Sequence, residues 1–188
     1  MARYPFLTHI EAAWTKSIEE DYDKHTILSE RALQASLWAH LKNKTKGQFI
    51  FIEPKIQLPP LGDEKPRTTI PDIVVCRGRS IIAVIELKFA PRGKPDFKAD
   101  IVKLQSFYAN KSTIELALPR FMGIKVKDHS YKITNRTQFV LGCICNKLPS
   151  GLDSFLEGIE NEALKGRFAV LLAETIEGKE CQLSQKRF

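Results

Sequence analysis

The sequence predicts an α/β (α+β) fold: a single domain of 188 residues with a central mixed β-sheet flanked by helices. Three observations lead there. Runs rich in β-branched residues, such as IPDIVVC, SIIAVIELKF and QFVLGCIC, are interspersed with stretches of helical periodicity. The early strands are joined by short polar links and the later ones by helix-length segments, so hairpins precede crossovers. Apolar residues at 43% and charged residues at 27% suit one domain with a real core, in a chain short for two.

The elements follow in order. The first 24 residues read as helical around HIEAAWTKSIEE and break at DYDK. A helix over about 26–44 places Ile27, Leu33, Leu37 and Leu41 on one stripe, with Ala32, Ala35 and Trp38 flanking it, and Gly47 stops it. GQFIFIEPKIQL reads as an extended segment interrupted by proline, an edge or bent strand. LPPLGDEKPRT is a loop. IPDIVVC and SIIAVIELKF, linked by RGRS, form a hairpin. APRGKPD leads into a helix over FKADIVKLQSFYAN, with Phe97, Ile101, Leu104 and Tyr108 on one face. Residues 111–137 carry short strands or irregular structure. QFVLGCIC is a buried strand, 148–151 a turn, LDSFLEGIENEAL a helix and RFAVLLAET a last strand. The order is α-β-β-β-α-β-α-β, with a core over about 25–145, an N-terminal helix and a C-terminal α-β extension.

Composition excludes several classes. No stretch approaches the roughly 20 apolar residues that span a bilayer, and the N-terminus lacks a basic region followed by an apolar run. The expected location is the cytoplasm, with no membrane partner. Cys143-x-Cys145 does not have zinc-knuckle spacing, and Cys76 and the Cys143/Cys145 pair sit in apolar runs, as reduced core cysteines do. The four histidines are scattered without metal-ligand spacing. No P-loop or serine nucleophile elbow is present, so ATP is not implied. The net charge of +7 is uneven: 41–150 carries twenty Lys/Arg against nine Asp/Glu, while 1–40 and 151–188 are each at −2. Such a basic middle is either the footprint of a polyanion ligand or a solvated lysine-rich surface.

The chemistry concentrates in Ile70-Pro71-Asp72 and Ile85-Glu86-Leu87-Lys88. Strand alternation puts Ile82, Val84, Glu86 and Lys88 on one side, and charges ending an apolar face are costly unless paired or bound to something. The hairpin brings Asp72 and Glu86 to the same end, as a hard cation such as Mg²⁺ requires of its oxygen ligands. A lysine beside the metal orients water and offsets charge developing on phosphate oxygens. The plainer alternative is a surface salt bridge between Glu86 and Lys88, with Asp72 a turn residue.

Pro71-Asp72 followed, after thirteen residues, by Glu86-Leu87-Lys88 resembles the PD-(D/E)xK nuclease superfamily, the restriction-endonuclease-like fold. The resemblance spans about 25–145 and implies an αβββαβ core: a helix, a three-stranded meander, a crossover helix and a further strand. It implies a metal-dependent nuclease, an endonuclease more than an exonuclease, hydrolysing DNA phosphodiester bonds through Mg²⁺-activated water, with Mn²⁺ able to substitute. By resemblance Asp72 and Glu86 bind the metal, the Leu87 carbonyl adds a backbone ligand, and Lys88 positions the attacking water. Many members carry a glutamate on the first helix facing the metal. Glu30 is the candidate here, on the stripe of Leu33, Leu37 and Leu41 with Gln34 nearby; the alternative is an acid that satisfies the helix dipole near the helix start. On the later helix Lys103 and Gln105 are candidates to point toward phosphate, against a solvated face as the alternative. Arg92 and Lys94, in the loop past Lys88, are candidate backbone contacts. DNA is the expected partner, RNA and a homodimer stay open, and the alternative function is a nuclease-fold accessory or nucleic-acid-binding protein without turnover.

Overall fold

The computed structural model describes residues 5–58, 67–93, 95–109, 113–117, 129–146 and 166–187. Helix α1 (Pro5–Lys16) runs on into a π-helical stretch, Ser17–Tyr22. Helix α2 (Glu30–Lys44) begins later than its periodicity predicts. Thr26 is tied back to the preceding helix, its amide and hydroxyl both donating to the Asp21 carbonyl. Ser29 is extended and caps α2, its Oγ accepting the Ala32 amide at 3.1 Å. Ile27 is buried ahead of the helix, and Glu30 becomes the first helical residue. Beyond Lys44, Gly47 takes φ +75°, a conformation open to glycine, and the chain turns.

The expected extended segment at 48–58 is cut in two. Glu53 adopts φ +46° and Pro54 has no N–H, so the ladder cannot continue. Strand β1 (Phe49–Ile52) pairs with one part of the sheet and β2 (Lys55–Leu58) with another. β3 (Arg67–Thr69) pairs with β2 inside what reads as loop. β4 (Ile73–Arg77) and β5 (Ser80–Ala90) form the expected hairpin, turning at Gly78 with φ +56°. After α3 (Lys98–Ala109) come β6 (Thr113–Ala117), β7 (His129–Cys145), β8 (Phe168–Glu174) and β9 (Gln182–Arg187). The turn at 148–151 and the helix expected over 152–164 lie outside the described residues, as does most of the 58–68 loop.

One mixed sheet links all these strands in the order β1-β4-β5-β7-β6-β2-β3, with β8 on β7 and β9 on β8. β1, β4 and β5 form an antiparallel meander, and β7 lies parallel beside β5 after α3. The order α2, meander, α3, parallel strand therefore stands, with β2, β3 and β6 added. Only Glu53 and Pro54 separate β1 from β2, and three Cα steps reach at most roughly 11 Å. Five strand spacings in a flat sheet need roughly 24 Å, so the sheet curls until β1 approaches β2. Phe51 meets Tyr131 edge to face at 6.0 Å across that curl.

The sheet separates two cores. Val74, Val84, Leu104, Phe107 and Phe139 pack on the α3 side, and Trp14, Leu37, Ile85, Leu87 and Val140 on the α1–α2 side. Alternation along β5 is broken once. Val75 pairs with Ala83 but Cys76 with Ile81, leaving Ile82 as a bulge residue. Ile82 therefore packs with the α1–α2 core, not beside Val84 as simple alternation predicts. From Ala83 onward the alternation is regular, and Glu86 and Lys88 emerge toward α3. All four cysteines are free thiols. Among the described residues no helix is long and apolar enough to cross a membrane.

Candidate active site

β4 stops pairing at Ile73, opposite Ile85, while β5 runs on to Ala90. The β5 backbone past Ile85 therefore presents amide groups toward an edge that β4 has vacated. Buried backbone donors need acceptors, and side chains supply them. Asp72, the residue before β4, accepts the Leu87 amide on Oδ2 at 2.6 Å. Glu30, at the start of α2, accepts the Phe89 amide on Oε2 at 3.2 Å. One turn further along α2, buried Gln34 donates to the Asp72 carbonyl at 3.0 Å and approaches its Oδ1 at 3.4 Å. The Glu53 amide also donates to the Asp72 carbonyl at 2.9 Å, so four contacts hold Asp72 on a strand edge that only the hairpin register creates.

Glu86 and Lys88 leave the other face of β5, toward α3. Glu86 is 1% exposed, and its Oε2 accepts from Lys103 Nζ at 2.6 Å. Its Oε1 is buried without a hydrogen-bond partner. Lys88 pairs instead with Asp100, Nζ to Oδ2 at 3.1 Å. The strand's acid is matched by a helix base and the strand's base by a helix acid, so Glu86 and Lys88 do not form the mutual salt bridge of the plain alternative.

The electrostatics follow from burial. Desolvation pushes the Asp72 carboxyl up to about 6, against the Leu87 amide bond that lowers it and with the Glu30 charge adding to the rise. Desolvation pushes Glu86 up to about 8, against its bond to Lys103 and with Asp72 adding to the rise. Burial alone lowers the Lys88 ammonium pKa, but the bond to Asp100 and the nearby acids outweigh it and the net shift is upward. Two desolvated carboxylates that resist ionisation side by side mark a place where a cation is favoured.

Of the other sequence candidates, Lys103 is part of this cluster and also donates to the Ile70 carbonyl at 3.3 Å. Arg92 is exposed past the end of β5, and Gln105 is exposed on α3 away from the buried charges. Lys94 lies outside the described residues. Sequence reasoning placed Gln34 beside Glu30 without giving it a role, and missed Asp100 as a member of the cluster. Asp100 falls between Phe97 and Leu104 on the apolar face of α3, and a buried acid on such a stripe is the signal that could have found it. Gln34, four residues after Glu30 and flanked by Leu33 and Leu37, carries the same signal.

No family model, curated protein or solved structure matches this chain. Among the described residues no three His, Cys, Asp or Glu side chains form a ready-made metal cage. Mg²⁺ does not require one, since it is commonly held by one or two carboxylates with waters and substrate phosphates. The donor set fits such an ion: hard oxygens from Asp72 and Glu86, one of them the partnerless buried Oε1. The Leu87 carbonyl shares the strand edge of its amide and so faces the side of Asp72. Two clefts of about 280 and 430 Å³, one beside Glu11 and Trp14 and one beside Tyr22 and Cys181, lie away from these residues. Asp72 is partly exposed, while Glu86 is buried beneath Lys103, whose own side chain is partly exposed.

Proposed function

We propose that this chain is a cytoplasmic, Mg²⁺-dependent nuclease that hydrolyses phosphodiester bonds of DNA. The observation that carries the reading is the position of Asp72 and Glu86, each adjoining the Ile73–Ile85 pair that ends the β4–β5 ladder, with Glu86 Oε1 buried and unpartnered and Lys88 two residues on. The αβββαβ order around it and the resemblance of Pro71-Asp72 … Glu86-Leu87-Lys88 to the PD-(D/E)xK superfamily support the same reading. Asp72, Glu86 and the Leu87 carbonyl would hold the ion, with Glu30 at their margin. When bound, a divalent ion acidifies water and withdraws charge from phosphate oxygens. Asp72 contributes a carboxylate already oriented by Gln34 and the Leu87 amide, so little reorganisation opposes binding. Lys88, oriented by Asp100, directs its ammonium to the attacking water and to charge growing on the phosphate.

A reading without turnover has one observation in its favour. The reciprocal ion pairs Glu86–Lys103 and Lys88–Asp100 could simply tie α3 to β5 in a nucleic-acid-binding or accessory protein.

Purified protein incubated with linear, circular, nicked and branched DNA decides between them. Cleavage is expected with Mg²⁺ or Mn²⁺ and none with EDTA. Asp72→Asn should abolish both cleavage and calorimetric metal binding. Lys88→Ala should keep metal and DNA binding while cutting the rate by about 10²-fold or more, as for an interaction made mainly in the transition state. Metal binding with no cleavage of any substrate would favour the accessory reading, and full activity in Lys88→Ala would remove Lys88 from the mechanism.

A further inference from the structure

We infer that the Lys103 ammonium is the resident counter-ion of this carboxylate pair in the metal-free protein, and that it must leave Glu86 before a divalent cation can bind there. The inference rests on the nuclease reading and adds a coupling to it. Of the two lysines at the site, Lys88 is held by Asp100, whose side chain is only 7% exposed and belongs to neither strand carboxylate. Lys103 sits on Glu86 itself, 2.6 Å from Oε2, and its remaining contact is the Ile70 carbonyl at 3.3 Å, two residues before Asp72. Its ammonium thus lies between Glu86 and the backbone that leads into Asp72, while Oε1 on the same Glu86 carboxylate goes unpartnered.

A buried carboxylate needs a positive charge, and one ammonium suffices for one carboxylate. A divalent ion on Glu86 brings two more positive charges against that ammonium in a low-dielectric setting, where like charges repel strongly. Both cannot keep the carboxylate. Lys103 is free to yield because its side chain is 28% exposed and its four-carbon stem can swing to solvent. Once displaced, it is a basic group at the mouth of the site, where the phosphate of a polyanion is its natural partner. Polyanion binding draws Lys103 off Glu86 and favours metal, and metal frees Lys103 for the polyanion. By linkage the two ligands must strengthen each other equally.

The test uses the full chain without nucleic acid. Above about pH 8, where Glu86 is ionised, Mg²⁺ and Mn²⁺ are titrated calorimetrically into the wild type, Lys103→Met and Lys103→Arg. Lys103→Met, which keeps bulk and removes charge, should tighten metal binding by about tenfold or more, given the strength of a contact ion pair out of water. It should also lower the melting temperature in EDTA and recover it with metal, whereas Lys103→Arg should bind metal no better than the wild type. A second measurement needs no variant: amine acylation followed by mass spectrometry. Lys103 should be protected in EDTA and become several-fold more reactive with Mg²⁺, while Lys88 stays protected. If the wild type binds metal yet Lys103→Met binds it no tighter and Lys103 reactivity does not change, the counter-ion role is overturned and the nuclease reading stands. If neither the wild type nor Lys103→Met binds metal, the nuclease reading falls, and this inference with it.

Discussion

Glu86 leaves β5 on the face that carries apolar Val84 before it and charged Lys88 after it, and its environment sets its chemistry. Burial raises its carboxyl to about 8 and that of Asp72 to about 6, both above the ordinary values of 4.5 and 3.8. In the metal-free protein each group binds its proton more tightly when folded than when unfolded. The stability this contributes is fully present below the unfolded pKa and is lost as pH rises through the folded one. Between about pH 4.5 and 8 the folded state takes up the extra proton on Glu86, and the charge pair with Lys103 is complete only at the alkaline end, so the metal-free protein should melt at falling temperatures across that window. Glu86→Gln should flatten the trend, and Mg²⁺ should oppose it in the wild type at the alkaline end. Melting curves in EDTA at several pH values check this. A wild type that grows more stable toward pH 8 would show that Glu86 ionises freely and is not desolvated as described.

At the level of elements, the site is a mismatch in strand length. β5 outlasts β4, and the exposed edge is finished by side chains from the β4 approach and from α2. β7 supports β5 from the opposite edge through a close contact. A Cβ added at Gly142 would stand 2.9 Å from Leu87 Cδ2 and 2.9 Å from the Trp14 ring. Leu87 is the residue between Glu86 and Lys88, and its amide holds Asp72. Gly142→Ala should therefore destabilise by about 1–3 kcal/mol, the usual cost of overpacking a dense core. It should also weaken metal binding by displacing Leu87. Chemical denaturation and calorimetry on the same preparation test both, and a change in stability within about 0.5 kcal/mol would mean that Trp14 and Leu87 yield without cost.

On the scale of the whole molecule, charge is the property that bears on a polymer ligand. The excess of +11 over residues 41–150 falls in the stretch of sequence that carries β4, β5 and α3. If these charges meet phosphates, binding of a short duplex to an inactive Lys88→Ala protein should weaken steeply with salt as counterions are released. Replacing exposed Arg92 by Ala should reduce the slope of log affinity against log salt by about one, because it removes about one phosphate contact. Binding indifferent to salt would leave the basic surface as solvated charge and no more. Lys103 belongs to a different class, since its charge is already engaged by Glu86.

What the sequence determined by itself was local. The β4–β5 hairpin, the apolar face of α3 and the buried strand within β7 were legible because side-chain periodicity reports which face a segment buries. Asp72 and Glu86 could be placed near one end of the hairpin because a short link fixes which ends of its two strands meet, although the bulge at Ile82 shifts the register by one residue. Only the tertiary structure decided the rest. The start of α2 depended on Thr26 bonding back to Asp21, and the break between β1 and β2 on the left-handed turn at Glu53. The side taken by Ile82 depended on a bulge that pairing alone creates. Above all, the partners of the charged residues are non-local: Gln34 reaches Asp72 from 38 positions away, and Lys103 reaches Glu86 from 17. Periodicity reveals that a charge is buried, but which opposite charge meets it depends on how strand and helix are stacked, and no local pattern carries that information.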